Sequence, residues 1–179
     1  MKIPFQLPRS LEPIVIKING WGNGIWAWIS RQGITPGLSE IVRDKIILCN
    51  RLTITVCLIL IFPSFSYWGA LDVFLLHCIA ILCYLFTLLF NRLGWYHFAR
   101  WWFVITPPLF NLIGAGLLTK GPASAVKVSF VAMIILPILL FQFSEARKMG
   151  IGLAWVALTL VAFDFVTELI PRSQWIAND

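Results

Sequence analysis

Apolar residues in this chain come in long uninterrupted runs rather than at alternating positions. A helix needs about 17 to 25 apolar residues to cross a hydrocarbon core of about 30 Å. Five runs meet that requirement, at 46–67, 71–90, 101–119, 125–144 and 149–170. Apolar residues surround each segment, and none shows the period of two expected of barrel strands, so helices are the spanning form. The pattern predicts an all-α fold: a polytopic integral membrane helix bundle with five transmembrane helices. Pro107 and Pro108 fall near the middle of the third run and should kink it. Pro63 and Pro137 should act as single kinks of the same kind.

Residues 1–45 differ. They carry scattered charge, Pro4, Pro8, Pro13 and Pro36, and Trp21, Trp26 and Trp28. Gly22, Asn23 and Gly24 interrupt any run that could serve as a signal peptide. The expectation is an uncleaved cytoplasmic or interfacial segment, since tryptophan suits the level where an apolar ring meets water. A flexible loop and a re-entrant segment are the alternatives. The organisation is then 1–45 as N-terminal segment, 46–170 as transmembrane bundle and 171–179 as a short non-cytoplasmic tail.

Composition narrows the class. Hydrophobic residues are 59% and charged residues 12%, with mean hydropathy +0.85. A soluble domain carries about a quarter charged residues. The balance excludes a soluble enzyme, a disordered tail and a DNA-binding domain, so no nucleic-acid partner is expected. Cys49, Cys57, Cys78 and Cys83 all lie in apolar stretches and read as small core residues rather than a disulfide framework. The net charge of +6 bears on orientation. Eleven of the fourteen Lys and Arg residues fall before and at the start of the first run or in the second-to-third and fourth-to-fifth connections. Lys120, Lys127 and Arg172 fall on the other side. Short cytoplasmic loops retain Lys and Arg, so the N-terminus is expected in the cytoplasm. An odd number of spans then places the tail outside. Either the chain is a complete five-helix unit, or a sixth helix and a cytoplasmic part follow it.

Ionisable and amide groups within the runs are the candidate functional residues. Asp164 and Glu168, four residues apart, share one helix face. They could be a proton- or cation-responsive pair or the polar end of a ligand pocket. They could equally be interfacial carboxylates in contact with water. Asp72 should be solvated. His77 lacks the clustered partners zinc needs, so a helix–helix hydrogen bond is the expectation. Asn111, between the proline pair and Gly114, could line a pocket beside a kinked helix or serve helix packing. Asn50–Arg51 and Asn91–Arg92 sit where helices meet the cytoplasm, with arginines able to reach phosphate head groups and asparagines able to satisfy helix ends. The polar turn from Ser144 to Lys148, with Glu145 and Arg147, should be solvated. No Gly-rich phosphate loop, HExxH, GxSxG or CxxC occurs. No catalytic residue, cofactor or metal is expected.

Three stretches carry a family resemblance. GITPGLSEIVRDKIILCNR (33–51) has a G-I-x-P-x-L turn leading to an Asn–Arg pair. NRLGWYHFAR (91–100) has the form N-x-x-G-x-x-x-x-A-R. PILLFQFSEARK (137–148) has the form P-x-x-x-F-x-x-x-E-x-[KR]-[KR]. Together they resemble the six-helix membrane anchor or sensor module of Bacteroidetes-type sensor histidine kinases and class III adenylate/guanylate cyclases. The resemblance spans about 33–171, and the chain departs from it in stopping after the fifth helix. It implies a bacterial inner-membrane module that holds a cytoplasmic effector as a homodimer. These residues would have no enzymatic activity of their own. Outer loops this short leave the bilayer, a small apolar ligand between helices, or a partner membrane protein as the source of a signal. The alternatives are a small transporter or channel subunit, a membrane assembly protein, or an intramembrane enzyme.

Overall fold

A computed structural model of the chain describes residues 24–118 and 124–169. The first 23 residues, the connection 119–123 with Lys120, and residues 170–179 with the expected tail lie outside the described residues. All regular structure among the described residues is helical. A short helix α1 (24–30) leads through turns to α2 (Glu40–Ser66), α3 (Leu71–Arg92) and α4 (Tyr96–Leu118). Then come α5 (Ser124–Met133), α6 (Ile135–Leu140), a 3-10 turn (Phe143–Glu145) and α7 (Ala146–Leu169).

α2 starts six residues before the apolar run because Ser39 caps it. The Ser39 side chain accepts from the Val42 amide at 3.4 Å, and Glu40 places negative charge in the first turn. The inward face of α2 is Ile46, Cys49, Asn50, Thr53, Cys57 and Ser64, spaced at helical intervals. Its outward face carries Leu58, Ile59, Phe62 and Phe65. Small and polar residues point in, and large apolar ones point out. α3 repeats the arrangement, with Ala80, Tyr84, Thr87 and Asn91 buried and Leu75, Ile79, Leu82 and Phe86 exposed. In water this would be inside out. In lipid it is what lets helices approach closely, since apolar burial gives no preference for protein over hydrocarbon. The inward hydroxyls cost little because Thr53, Ser64, Thr106 and Thr159 each donate to a carbonyl of their own helix.

Three helices among the described residues are long and apolar enough to cross a bilayer: Glu40–Ser66, Leu71–Arg92 and Phe143–Val166. They correspond to the first, second and fifth expected spans. The third expected span lies in α4, which holds Pro107 and Pro108 without a break. α4 is the central helix and touches α2, α3, α5, α6 and α7. The fourth expected span is two helices rather than one. Pro137 has no N–H for the Met133 carbonyl and its ring crowds it, and the helix divides at Ile134. Phe141 and Gln142 then run extended before the 3-10 turn. At Gly152 of α7, an added Cβ would lie 3.0 Å from Pro137 Cβ and 3.3 Å from Val104 Cγ1, so glycine there permits α7 to meet α4 and α6.

Two apolar clusters hold the bundle. One joins Cys49, Cys57, Ala80, Tyr84, Phe103, Val104, Leu140 and Phe141. The other joins Leu112, Ala115, Phe130, Val156 and Phe163. Of the four cysteines, all unpaired, Cys49 and Cys57 are buried as expected, whereas Cys78 and Cys83 are only half-buried.

Candidate functional site

The three stretches singled out in the sequence converge at one end of the bundle. Asn50 and Asn91 are fully buried and face each other, Asn91 Nδ2 donating to Asn50 Oδ1 at 2.7 Å. The Asn50 amide nitrogen in turn lies 2.9 Å from the Gln32 carbonyl oxygen and 3.2 Å from that of Ser30. It thus caps the end of α1, which has no partner for these carbonyls within its own helix. Arg51 Nε donates to Ser30 Oγ at 3.2 Å. Gly33 turns at φ +84°, and a Cβ there would lie 2.1 Å from the Asn91 carbonyl oxygen, so only glycine fits. The Tyr96 hydroxyl completes the clamp by donating to the Gly33 carbonyl at 2.8 Å. Asn91 Oδ1 is buried with no hydrogen-bond partner among the described residues.

Beside this clamp lies a charged knot. Arg100 is 5% exposed. Its guanidinium meets the Glu145 carboxylate in a two-pronged contact at 2.8 and 3.4 Å and also donates to the Leu140 carbonyl at 3.2 Å. It lies 5.5 Å from the centre of the Phe141 ring. Lys148 Nζ approaches the same carboxylate at 2.7 Å. His97 Nδ1 is 2.7 Å from Arg100 and 3.2 Å from Lys148. Both neighbours are obligate donors, so Nδ1 serves as acceptor and the ring is neutral. The His97 pKa is accordingly lowered from its ordinary value, by burial first and then by the charges of Arg100 and Lys148, against the pull of Glu145. Lys45 reaches from α2 to the Leu139 carbonyl on α6. The expected solvated turn at Glu145 is therefore corrected. Its side chain is 16% exposed and tied to α4, because the extended Phe141–Gln142 segment brings it back over Arg100. Arg92 and Arg147 stay exposed at the helix ends.

A cavity of about 480 Å³ opens between α2, α3, α4 and the α5–α6 pair. Leu76, Phe110, Met133 and Leu136 contribute apolar walls, with Tyr84 and Phe103 toward the junction. Two of the candidate pocket residues line it, His77 and Asn111. His77 Nδ1 is 2.8 Å from the Val73 carbonyl, and its ring stacks on Tyr67 at 5.8 Å. Asn111 Nδ2 donates to Ser129 Oγ at 2.6 Å across to α5. Asp164 and Glu168 do not line the cavity. Asp164 pairs with Lys127 at 2.7 Å, and Glu168 is exposed. Asp72 accepts from the Val73 amide at 2.9 Å rather than being wholly solvated. Among the described residues no cluster of His, Cys, Asp and Glu could hold a metal ion.

Sequence reasoning missed the partners that act over long separations: Tyr96 on Gly33, His97 in the charged knot, Lys45 on Leu139, and Lys127 on Asp164. The signal that could have found the knot is a lone arginine next to an apolar run with one acidic residue at the matching end of a later one. Comparison with protein-family models, curated proteins and solved structures finds no match.

Proposed function

We propose that the chain is the membrane sensor and anchor module of a bacterial signalling receptor, crossing the inner membrane five times with its N-terminus in the cytoplasm. It acts as a homodimer, and the output belongs to a cytoplasmic kinase or cyclase partner rather than to these residues. One observation carries the reading. The short helix α6 belongs both to the cavity wall and to the charged knot. It presents Leu136 to the cavity, and its Leu139 and Leu140 carbonyls hold Lys45 of α2 and Arg100 of α4. A molecule that enters the cavity displaces Leu136 and so changes the ties among α2, α4 and α7. That is a two-state element whose balance an occupant can bias.

The proposed topology is supported by the uneven distribution of Lys and Arg, and the dimer by the resemblance. Reporter fusions after Arg92 and after Arg147 should report cytoplasm, and one after Gly121 the outside. Split-reporter halves fused to the N-terminus should reassemble in a bacterial membrane, and Leu136→Trp, which fills the cavity, should change that signal. Absence of self-association in both proteins would sink the module. A small transporter or channel subunit is the alternative. It has less support, because Asp164 already faces Lys127 and neither acidic candidate reaches the cavity. Liposome flux lost in Asp164→Asn would favour it.

A further inference from the structure

The polar end of the cavity has a definite hydrogen-bonding character. A carbonyl only accepts, so the contact with Val73 puts the hydrogen of a neutral His77 ring on Nδ1 and leaves a lone pair on Nε2. The stack on Tyr67 holds the ring plane. Asn111 gives Nδ2 to Ser129, which leaves Oδ1 as its second polar atom, with no hydrogen bond to any described residue. His77 lies six residues into α3, and Asn111 lies seven residues before the end of the antiparallel α4. Contact between the Gly114 position and Leu76 at 3.6 Å sets the two helices level there. Two acceptors therefore share one end of an otherwise apolar chamber, and Tyr84 and Phe103 close the other.

A site made of acceptors selects a donor, because a molecule without one leaves buried acceptors unpaired. Ketones, esters and ethers fail that test. An ammonium would bring donors, but among the described residues no carboxylate lines the cavity to balance it. A hydroxyl satisfies the site in both directions: its hydrogen goes to Nε2 or Oδ1, and its oxygen can receive the second Nδ2 hydrogen of Asn111. The volume of about 480 Å³ lies within the usual range for a small-molecule site. The helix surfaces around it are apolar, Leu75, Ile79, Val131 and Ile135 among them, so entry is from lipid.

We infer that the cavity binds a small alcohol dissolved in the bilayer, its hydroxyl between His77 and Asn111 and its apolar body against Tyr84, Phe103 and Leu136. The molecule's role as a signal rests on the sensor reading, whereas its binding stands on the cavity alone.

The test uses the full chain in phosphatidylcholine nanodiscs with dodecanol bearing a chain diazirine, beside the matching methyl ether. After irradiation, the alcohol should mark Phe110, Met133 and Leu136 about tenfold more than the ether does, the ratio that loss of one or two buried hydrogen bonds implies. Unlabelled dodecanol should compete. The ratio should collapse toward one in both Asn111→Leu and His77→Phe. Equal marking by alcohol and ether in the unmodified chain would overturn the site. So would marking confined to outward residues such as Leu82 and Val161. Selective marking with no effect of dodecanol on self-association would keep the site and overturn its role as a signal. Loss of selectivity with self-association intact would overturn the site and leave the module standing.

Discussion

At the junction end of the bundle, five chain segments meet through directed bonds: the turn after α1, the first half of α2, the end of α3, the start of α4 and the 3-10 turn before α7. A few turns away, between the same helices, the cavity is walled mostly by apolar side chains, with the Asn111–Ser129 hydrogen bond as a directed tie between helices. The junction fixes one arrangement, since an asparagine pair or an arginine–carboxylate fork in apolar surroundings has few equivalent partners. The cavity fixes nothing comparable, because apolar contacts are non-directional and their loss is gradual. A bundle made in this way is stiff in register at one end and able to yield in the middle. α6 joins the two, its cavity contact at Leu136 lying three and four residues before the bonded carbonyls of Leu139 and Leu140.

The sharpest way to break that contrast is to remove one half of the charged fork. Glu145→Leu leaves Arg100 buried with the Leu140 carbonyl and a neutral histidine as its remaining partners. Removing one partner of a buried pair costs about 3 kcal/mol. Unfolding of the chain in mixed micelles should show that loss. A change below about 1 kcal/mol would mean that Lys148 and solvent, rather than Arg100, set the energy of the carboxylate.

The next effect is local. Gly33→Ala places a methyl group where the Asn91 carbonyl oxygen already lies and at a φ that disfavours any side chain. The clamp should open at a cost of about 2 kcal/mol. Hydrogen exchange of the amides at 24–35 should accelerate, while α3 and α7 stay protected. Unchanged protection would show that α1 is held by something other than its seat on Asn50 and Asn91.

Two helical glycines sharpen the comparison with opposite signs. Gly152 sits where α6 and α7 touch, and a Cβ would press on Pro137 and Val104. Gly152→Ala should therefore destabilise by about 1 kcal/mol. Gly114 faces the cavity, where a Cβ meets Leu76 at an ordinary 3.6 Å. Gly114→Ala should stabilise by about 0.5 kcal/mol through helix propensity. Equal effects in micelle unfolding would erase the distinction between tight and yielding regions.

Much of this organisation was legible along the chain, and the exceptions share a cause. The start of α3 and the far end of α7 were placed at or within one residue by the runs at 71–90 and 149–170, whereas α3 continues two residues past its run to Arg92 and α7 begins three residues before its run, at Ala146. The junction asparagines were found because an amide next to an arginine at the edge of a run is out of place for lipid. The partners were not found. Arg100 and Glu145 are 45 residues apart, and nothing local in Ser144–Lys148 distinguishes a solvated turn from one folded back on a buried guanidinium. Asp164 and Glu168 share a face by spacing alone, yet the stronger attraction for Asp164 is Lys127, 37 residues away. The prolines differ in their effect on helix continuity. Pro137 divided its helix, whereas Pro107 and Pro108 left α4 continuous. α4 is surrounded by other helices, and neighbours in a bundle can hold together what prolines weaken.

The smallest effect tests whether the charged knot is as closed as its distances imply. His97 is still largely exposed, so its share is modest, but its sign is fixed. Its pKa in the folded chain is lowered by burial and by two cations, whereas the unfolded chain keeps the ordinary value of about 6.5. Above that value both states hold a neutral ring, and the contribution to stability is complete. As pH falls through it, the unfolded chain takes up a proton that the folded chain resists, and stability declines until the folded ring also titrates. Melting of the unmodified chain should thus fall more between about pH 7.5 and 5 than melting of His97→Gln, which cannot take up that proton. A steeper loss in His97→Gln would mean that the Glu145 carboxylate outweighs Arg100 and Lys148 at the ring. The knot would then be gaining a charge from the histidine on acidification, and a protonated Nδ1 would turn to donate to the Glu145 carboxylate, 3.6 Å away, in place of accepting from Arg100 and Lys148.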